Sequence, residues 1–177
     1  PEKGILGPCA NFFDESAHKI KEKQKVQFHR THVGFIFQAF HLIDELNVYE
    51  NIETPLIYRG IKGKERKALV ADLLDRFNIV AKKDLFPSQL SGGQQQLVAI
   101  ARAIIGSPKL LLADETTGNL HSEQGEMIMK LLKKLNDEGM TIIQVTHNEK
   151  YAGYGSRIVK LEDGLVRADD PVRKMVV

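Results

Sequence analysis

Apolar and polar positions follow two rhythms along this chain. Four short runs rich in β-branched or aromatic residues, Val33 to Phe37, Leu110 to Ala113, Thr141 to Thr146 and Arg157 to Leu161, read as buried strands. Between them the apolar residues recur at helical spacing. From Gly63 to Val80, Leu69, Leu73 and Phe77 return every fourth residue, with Val70 and Leu74 widening the stripe. From Gly92 to Ile105, Leu97, Ile100, Ala101 and Ile104 make one face, and Gly106 with Pro108 supplies a stop. From Ser122 to Glu138, Met127, Ile128, Leu131, Leu132 and Leu135 face one way and Lys130, Lys133 and Lys134 largely the other, with Gly139 ending the helix. Strands alternating with helices predict an α/β fold with a mainly parallel sheet flanked by helices.

The stretch from about residue 45 to residue 90 breaks that alternation. It offers helices at Val48 to Tyr58 and Gly63 to Val80 and no convincing strand, so it reads as a helical insertion into one domain. The expected division is an α/β core over about 1–44 and 91–168, a helical subdomain over about 45–90, and a tail over 169–177.

Composition narrows the function classes. The 177 residues are 42% hydrophobic and 27% charged, ordinary for one globular core. A net charge of +2 gives no electrostatic case for a nucleic-acid partner. A single cysteine, Cys9, excludes an internal disulfide framework and fits a reducing compartment. No apolar run approaches the roughly 18 residues of a membrane span.

The chemistry gathers where strands end. Ligands of open α/β sheets bind at the carboxyl ends of the strands. Here the first strand runs into Gln38, the second into Asp114 and Glu115, and the third into His147. An amide, a carboxylate pair and an imidazole at one edge suggest a metal ligand, a general base and a polarising group. In Leu90-Ser91-Gly92-Gly93-Gln94, Ser91 is placed to cap the next helix, and two glycines let another chain's phosphates approach the backbone. Free N–H groups and a positive dipole end then make an anion site without a basic side chain.

These residues resemble the nucleotide-binding subunits of ABC transporters. Leu90 to Gln96 (LSGGQQQ) looks like the signature sequence and Leu110 to Glu115 (LLLADE) like the Walker B strand. Gln38 resembles the Q-loop glutamine, Thr117 to Ser122 (TGNLHS) the D-loop, and His147 the switch histidine, all in the family's order. Phe37-Gln38 with Pro55 to Gly60 is similar to the lipoprotein-releasing and macrolide-export type. The resemblance implies a P-loop NTPase-like (RecA-like) fold with an ABC-type helical insertion. It also implies ATP and Mg²⁺ as ligands, and a second ATP-binding subunit, a homodimer being expected. The remaining partner would be a transmembrane permease, and the location cytoplasmic, peripheral at the inner face of the plasma membrane. Carried over, Asp114 and Gln38 ligate Mg²⁺, Glu115 is the general base and His147 contacts the γ-phosphate. Ser91, Gly92, Gly93 and Gln94 would hold the partner subunit's ATP.

The chain departs from the family's pattern in places. No Gly-rich turn followed by Lys-Ser/Thr occurs in the sequence, and Gly4-Ile5-Leu6-Gly7 lacks the Lys-Ser/Thr. Pro1 to Gly4 resembles the turn that follows the phosphate-loop helix, so a fragment is expected. That fragment alone should neither grip ATP tightly nor hydrolyse it, and should aggregate through bare apolar surface. Thr116 stands where Pro is usual, His121 where the D-loop has Asp, and Leu97 where Arg is common. His18, His29, His32 and His41 show no metal-ligand spacing, Lys19 to Lys25 reads as an exposed helix face, and Phe12-Phe13 and Phe35-Phe37 read as packing residues. A chromosome-maintenance ATPase would need a long coiled coil between Gln38 and Ser91, and there is room only for a compact insertion. A non-hydrolysing regulatory module remains the second alternative, with Glu115 and His147 arguing against it.

Overall fold

A computed structural model describes residues 11–12, 15–16 and 22–172. Pro1 to Gly7, Cys9, Phe13, His18 and Lys19 to Lys21 lie outside the described residues. The elements in chain order are β1 (Asn11–Phe12), β2 (Glu15–Ser16), α1 (Glu22–His32), β3 (Val33–Ile36), α2 (Val48–Tyr58), α3 (Gly63–Arg76), α4 (Gly92–Ile104), β4 (Leu110–Asp114), α5 (Ser122–Asp137), β5 (Thr141–Val145), α6 (Glu149–Ala152), β6 (Arg157–Glu162) and β7 (Leu165–Pro171). Two single 3₁₀ turns, Val80–Lys82 and Pro87–Gln89, follow α3.

Strands β3, β4 and β5 form a parallel sheet in that order, with Ile36 opposite Ala113 and Ala113 opposite Gln144. The two-residue alternation of a strand then puts Gly34, Ile36, Leu111, Ala113 and Ile142 on one face. Helix α4 lies so close to that face that a Cβ at Gly34 would come 2.6 Å from the Ala103 carbonyl oxygen, which only glycine permits. Helix α5 adds buried Ile128, Met129, Leu132 and Leu135. On its far side α4 packs against α2, so α4 is buried on most of its circumference, from Gly93 to Ile104. Residues 47–90 contain helices and 3₁₀ turns and no strand, and their Ile52, Leu56, Val70 and Leu74 share one core with α4.

The structure changes several details of the sequence reading. Arg157 to Leu161 is a strand but not a buried one: it pairs antiparallel with β7 as a separate hairpin, Leu161 keeps 67% exposure, and β7 takes in residues 169–171 of the expected tail. Its turn, Asp163-Gly164, has positive φ at both residues, the geometry a two-residue hairpin loop demands. In β5 every second residue faces out, so Ile143 and Val145 are exposed. Phe35 and Phe37 are not core residues either; their rings stack on each other, 6.0 Å between centroids, on the same outward face as Ile143. Helix α3 stops at Arg76 because Asn78 takes a left-handed φ, and Leu69 and Met127 lie outside the buried stripes. Residues 22–25 of the Lys19 to Lys25 run lie in helix α1.

Candidate active site at the strand ends

Parallel pairing brings the ends of β3, β4 and β5 to one rim. Asp114, the last residue of β4, pairs with Val145, the last of β5, and stays exposed. Glu115 leaves the strand with φ of 45°, a left-handed conformation costly for a non-glycine residue and characteristic of functional turns. The Glu115 N–H donates to the Val145 carbonyl at 3.0 Å, which locks the turn onto β5. Its carboxylate is held from the β5 end. Oε1 accepts from the His147 backbone N–H at 2.7 Å and lies 2.8 Å from His147 Nδ1. Oε2 has one long contact, 3.4 Å from the Thr146 hydroxyl. The Glu115 side chain is 18% exposed and that of His147 84%. Oε1 therefore takes two short contacts from His147 and Oε2 a single long one from Thr146.

Gln38 sits on an exposed turn past the end of β3, at the same rim. Its carbonyl accepts from Asn119 Nδ2 at 3.0 Å. The two residues that follow the turn, Phe40 and His41, both have positive φ. Arg102 of α4 holds their carbonyls, with the Phe40 oxygen at 2.9 Å, and burial pulls its guanidinium below the usual arginine value. Further on, Asn51 is fully buried and ties down the same segment: it accepts from the Ile43 N–H and donates to the carbonyls of Ile43, Leu46 and Asn47.

At the start of α4, the Ser91 hydroxyl accepts from the Gln94 N–H and the Gln94 side chain accepts from the Ser91 N–H at 3.0 Å, the reciprocal box expected of a helix cap. Ser91 is exposed, Gly92 half-buried and Gly93 buried against Gln124. A Cβ at Gly92 would meet Leu120, Phe40 and the Asn119 carbonyl at 3.6 to 3.8 Å. The sequence reading placed Gln38, Asp114, Glu115 and His147 at one rim and Ser91 facing outward, and the coordinates have them there. It did not anticipate Thr146, Asn119, Arg102 or Asn51. Nothing in a sequence signals a contact across 81 positions, such as Asn119 to Gln38.

The departures from the family pattern have local consequences. Thr116 is 2% exposed, and its hydroxyl has no hydrogen-bond partner among the described residues. His121 is the N-cap of α5 without any side-chain capping bond, a role an Asp would fill. Leu97 packs half-buried against the core. Among the described residues no three His, Cys, Asp or Glu side chains gather into a metal cage. One carboxylate and one amide oxygen are still a fit donor set for Mg²⁺, which keeps waters and takes substrate phosphates as its other ligands.

The ABC transporter family model matches residues 11–118, a span that holds Gln38, Ser91 and Glu115 and ends before His147. The chain belongs to the ABC transporter family. Similar proteins include the macrolide export ATP-binding/permease protein MacB 2 of Yersinia pestis bv. Antiqua (strain Antiqua), 44% identical over 145 residues that make up 82% of this chain and 21% of that protein. MacB of Shewanella sp. (strain ANA-3) is 43% identical over 158 residues, 89% of this chain and 24% of that protein. This ABC family chain thus spans about a fifth to a quarter of the length of the curated relatives it matches. Among solved structures, a dimeric ATP-binding cassette in a post-hydrolysis state, bound to ADP and Pi, superposes with a TM-score of 0.79 at 39% identity, covering 92% of this chain and 72% of that one. The fold is accordingly that of the ABC ATPase cassettes, a P-loop NTPase-like sheet flanked by helices.

Proposed function

We propose that this chain is the greater part of the ATP-hydrolysing component of an export-type ABC transporter, working as a pair of cassettes at the cytoplasmic face of the membrane. The observation that carries the reading is the grip on Glu115. A base must present one oxygen to water in a fixed direction. Two contacts from His147 occupy Oε1, the left-handed turn fixes the backbone, and Oε2 carries only a long hydrogen bond from Thr146. Glu115 is the general base that orients water and takes its proton. His147, whose Nδ1 is engaged with Glu115, would reach the γ-phosphate through Nε2, which donates there only when both ring nitrogens carry a proton.

Asp114 and Gln38 would hold Mg²⁺, which when bound neutralises charge on the β- and γ-phosphates. Ser91, Gly92, Gly93 and Gln94 turn the start of α4, with its free N–H groups, toward the nucleotide of a second copy. The similarity to macrolide export ATP-binding/permease proteins supports a permease partner of that type. Homodimer assembly is supported by the dimeric cassette it resembles.

The test is Glu115→Gln in the full-length protein. The amide keeps the size of the side chain and cannot take a proton, so hydrolysis should fall at least ~10²-fold while nucleotide binding persists. An unchanged rate would remove Glu115 as the base and favour a regulatory module that binds without turnover.

A further inference from the structure

Gln38 is poorly supported by its own strand. It lies on an exposed turn beyond Ile36, the last residue of β3, and is followed by two left-handed residues. Its placement comes from another loop. The Asn119 amide donates to the Gln38 carbonyl at 3.0 Å, and the Gln38 side chain lies over Gly118, where a Cβ would come 2.7 Å from Nε2 and 3.1 Å from Cδ. That loop is itself anchored. Thr116 and Thr117 are buried, and the Gly118 N–H donates to the Glu115 carbonyl at 2.9 Å. Gln38 is therefore set relative to Glu115 by four consecutive residues of the second loop, while Arg102 of α4 holds the two residues that follow the turn.

The same loop reaches the start of α4, where the Asn119 carbonyl and Leu120 lie against Gly92, beside the ring of Phe40. One short segment thus touches the amide that serves this subunit's metal and the helix start that serves a second copy's phosphates.

We propose that Asn119 and Gly118 are positioning residues for Gln38: the Asn119 hydrogen bond fixes its backbone and the missing Cβ at Gly118 leaves room for its amide, so that Gln38 stays at the rim it shares with Asp114, where the two would hold a magnesium ion. The inference rests on the reading of Gln38 as a metal ligand. Asn119→Asp keeps the shape of the side chain but sets a carboxylate oxygen against a carbonyl, removing the donor. Gly118→Ala leaves Asn119 in place and displaces the Gln38 amide, and Gly118 has no positive φ to forbid it.

Two measurements on the full-length protein decide it. Amide hydrogen exchange over residues 37–41 should quicken about fivefold in Asn119→Asp, the loss expected for one net hydrogen bond, with exchange in α4 unchanged. The Mg²⁺ concentration for half-maximal hydrolysis should rise about fivefold in both variants, with kcat at saturating Mg²⁺ held. A bond that only closes the surface would leave the Mg²⁺ requirement alone. Unchanged exchange over 37–41 overturns the tether, and quickened exchange with an unchanged Mg²⁺ requirement overturns its purpose. Glu115→Gln run in parallel separates this from the function itself: if that variant still hydrolyses ATP the catalytic reading falls, and the exchange result still decides the tether.

Discussion

Beneath α4 and α5 the parallel sheet buries Ile36, Leu111 and Ala113 to 1%, 0% and 2% exposure, while its other face leaves Phe35, Phe37, Ile143 and Val145 at 41%, 38%, 51% and 60%. Parallel strands are normally covered on both sides, which is why their sequences read as continuous apolar runs. Residues 33–37 and 141–146 read in that way, and the contrast shows that an apolar run reports what a face can bury and not what lies on it. It also divides the labour of the fold. The covered face supplies packing and fixes the rim, because α4 holds the loop after Gln38 through Arg102. The open face contributes little to the stability of these residues on their own.

Truncation of one residue on each face should break that comparison most visibly. Leu111→Ala leaves a cavity under α4 and should cost about 3 kcal/mol, a large part of a typical domain's total stability. Ile143→Ala on the open face should cost under about 1 kcal/mol. Denaturant melts of the two variants check this, and equal losses would mean that the open face is covered in solution.

The covered side also includes polar packing. Asn51 is at 0% exposure with its oxygen and both amide hydrogens engaged by backbone groups of Ile43, Leu46 and Asn47. Asn51→Ala would strand those groups, so a loss of about 2 kcal/mol is expected, with faster exchange over residues 43–47. A loss near zero would show that water replaces the side chain and that the site is less closed than its burial indicates.

The open face should instead govern association. Four exposed apolar side chains on one sheet surface form a patch of the kind that drives self-association. Residues 1–177 expressed alone should scatter light at micromolar concentration, and Ile143→Lys with Val145→Lys should suppress the scattering without lowering the melting midpoint. Persistent association in that double variant would place the sticky surface elsewhere, with the β6–β7 hairpin and its exposed Leu161 and Leu165 the next candidate.

Much of this was legible in the sequence because it is local. Ser91 and Gln94 announce a capping box, Gly139 ends α5 with a φ of 103°, and polar residues closing three apolar runs must share a rim once the strands are parallel. The illegible parts are those decided at a distance. Arg157 to Leu161 has the composition of a core strand, but pairs with β7 in an exposed hairpin. The signal for that hairpin, Asp163-Gly164 between two apolar runs, does lie in the sequence. The contacts that hold Gln38 in place come from Asn119 and Gly118, and no periodicity could have paired those positions with residue 38.

The smallest effect is expected in that exposed hairpin. Arg157 Nε donates to Asp169 at 2.6 Å, joining β6 to β7 through the pair Val159 opposite Asp169 and its neighbour Arg157. The hydrogen bond from Arg157, helped by its charge, holds the Asp169 carboxyl below the usual carboxylate range. A carboxyl whose value is depressed in the fold stabilises above its unfolded value, near 4, and loses that contribution as pH falls through the folded one. The hairpin should therefore be indifferent to pH between 8 and 5 as far as this pair is concerned, and loosen only in acid, below about pH 4. Both groups are solvent-exposed, so salt should mask part of the effect. Asp169→Asn should quicken amide exchange across β6 and β7 at pH 7, and its difference from the unchanged protein should shrink as the pH falls below the ordinary carboxylate range. A difference that persists or widens in acid would show that the Arg157 contact acts by shape and not by charge.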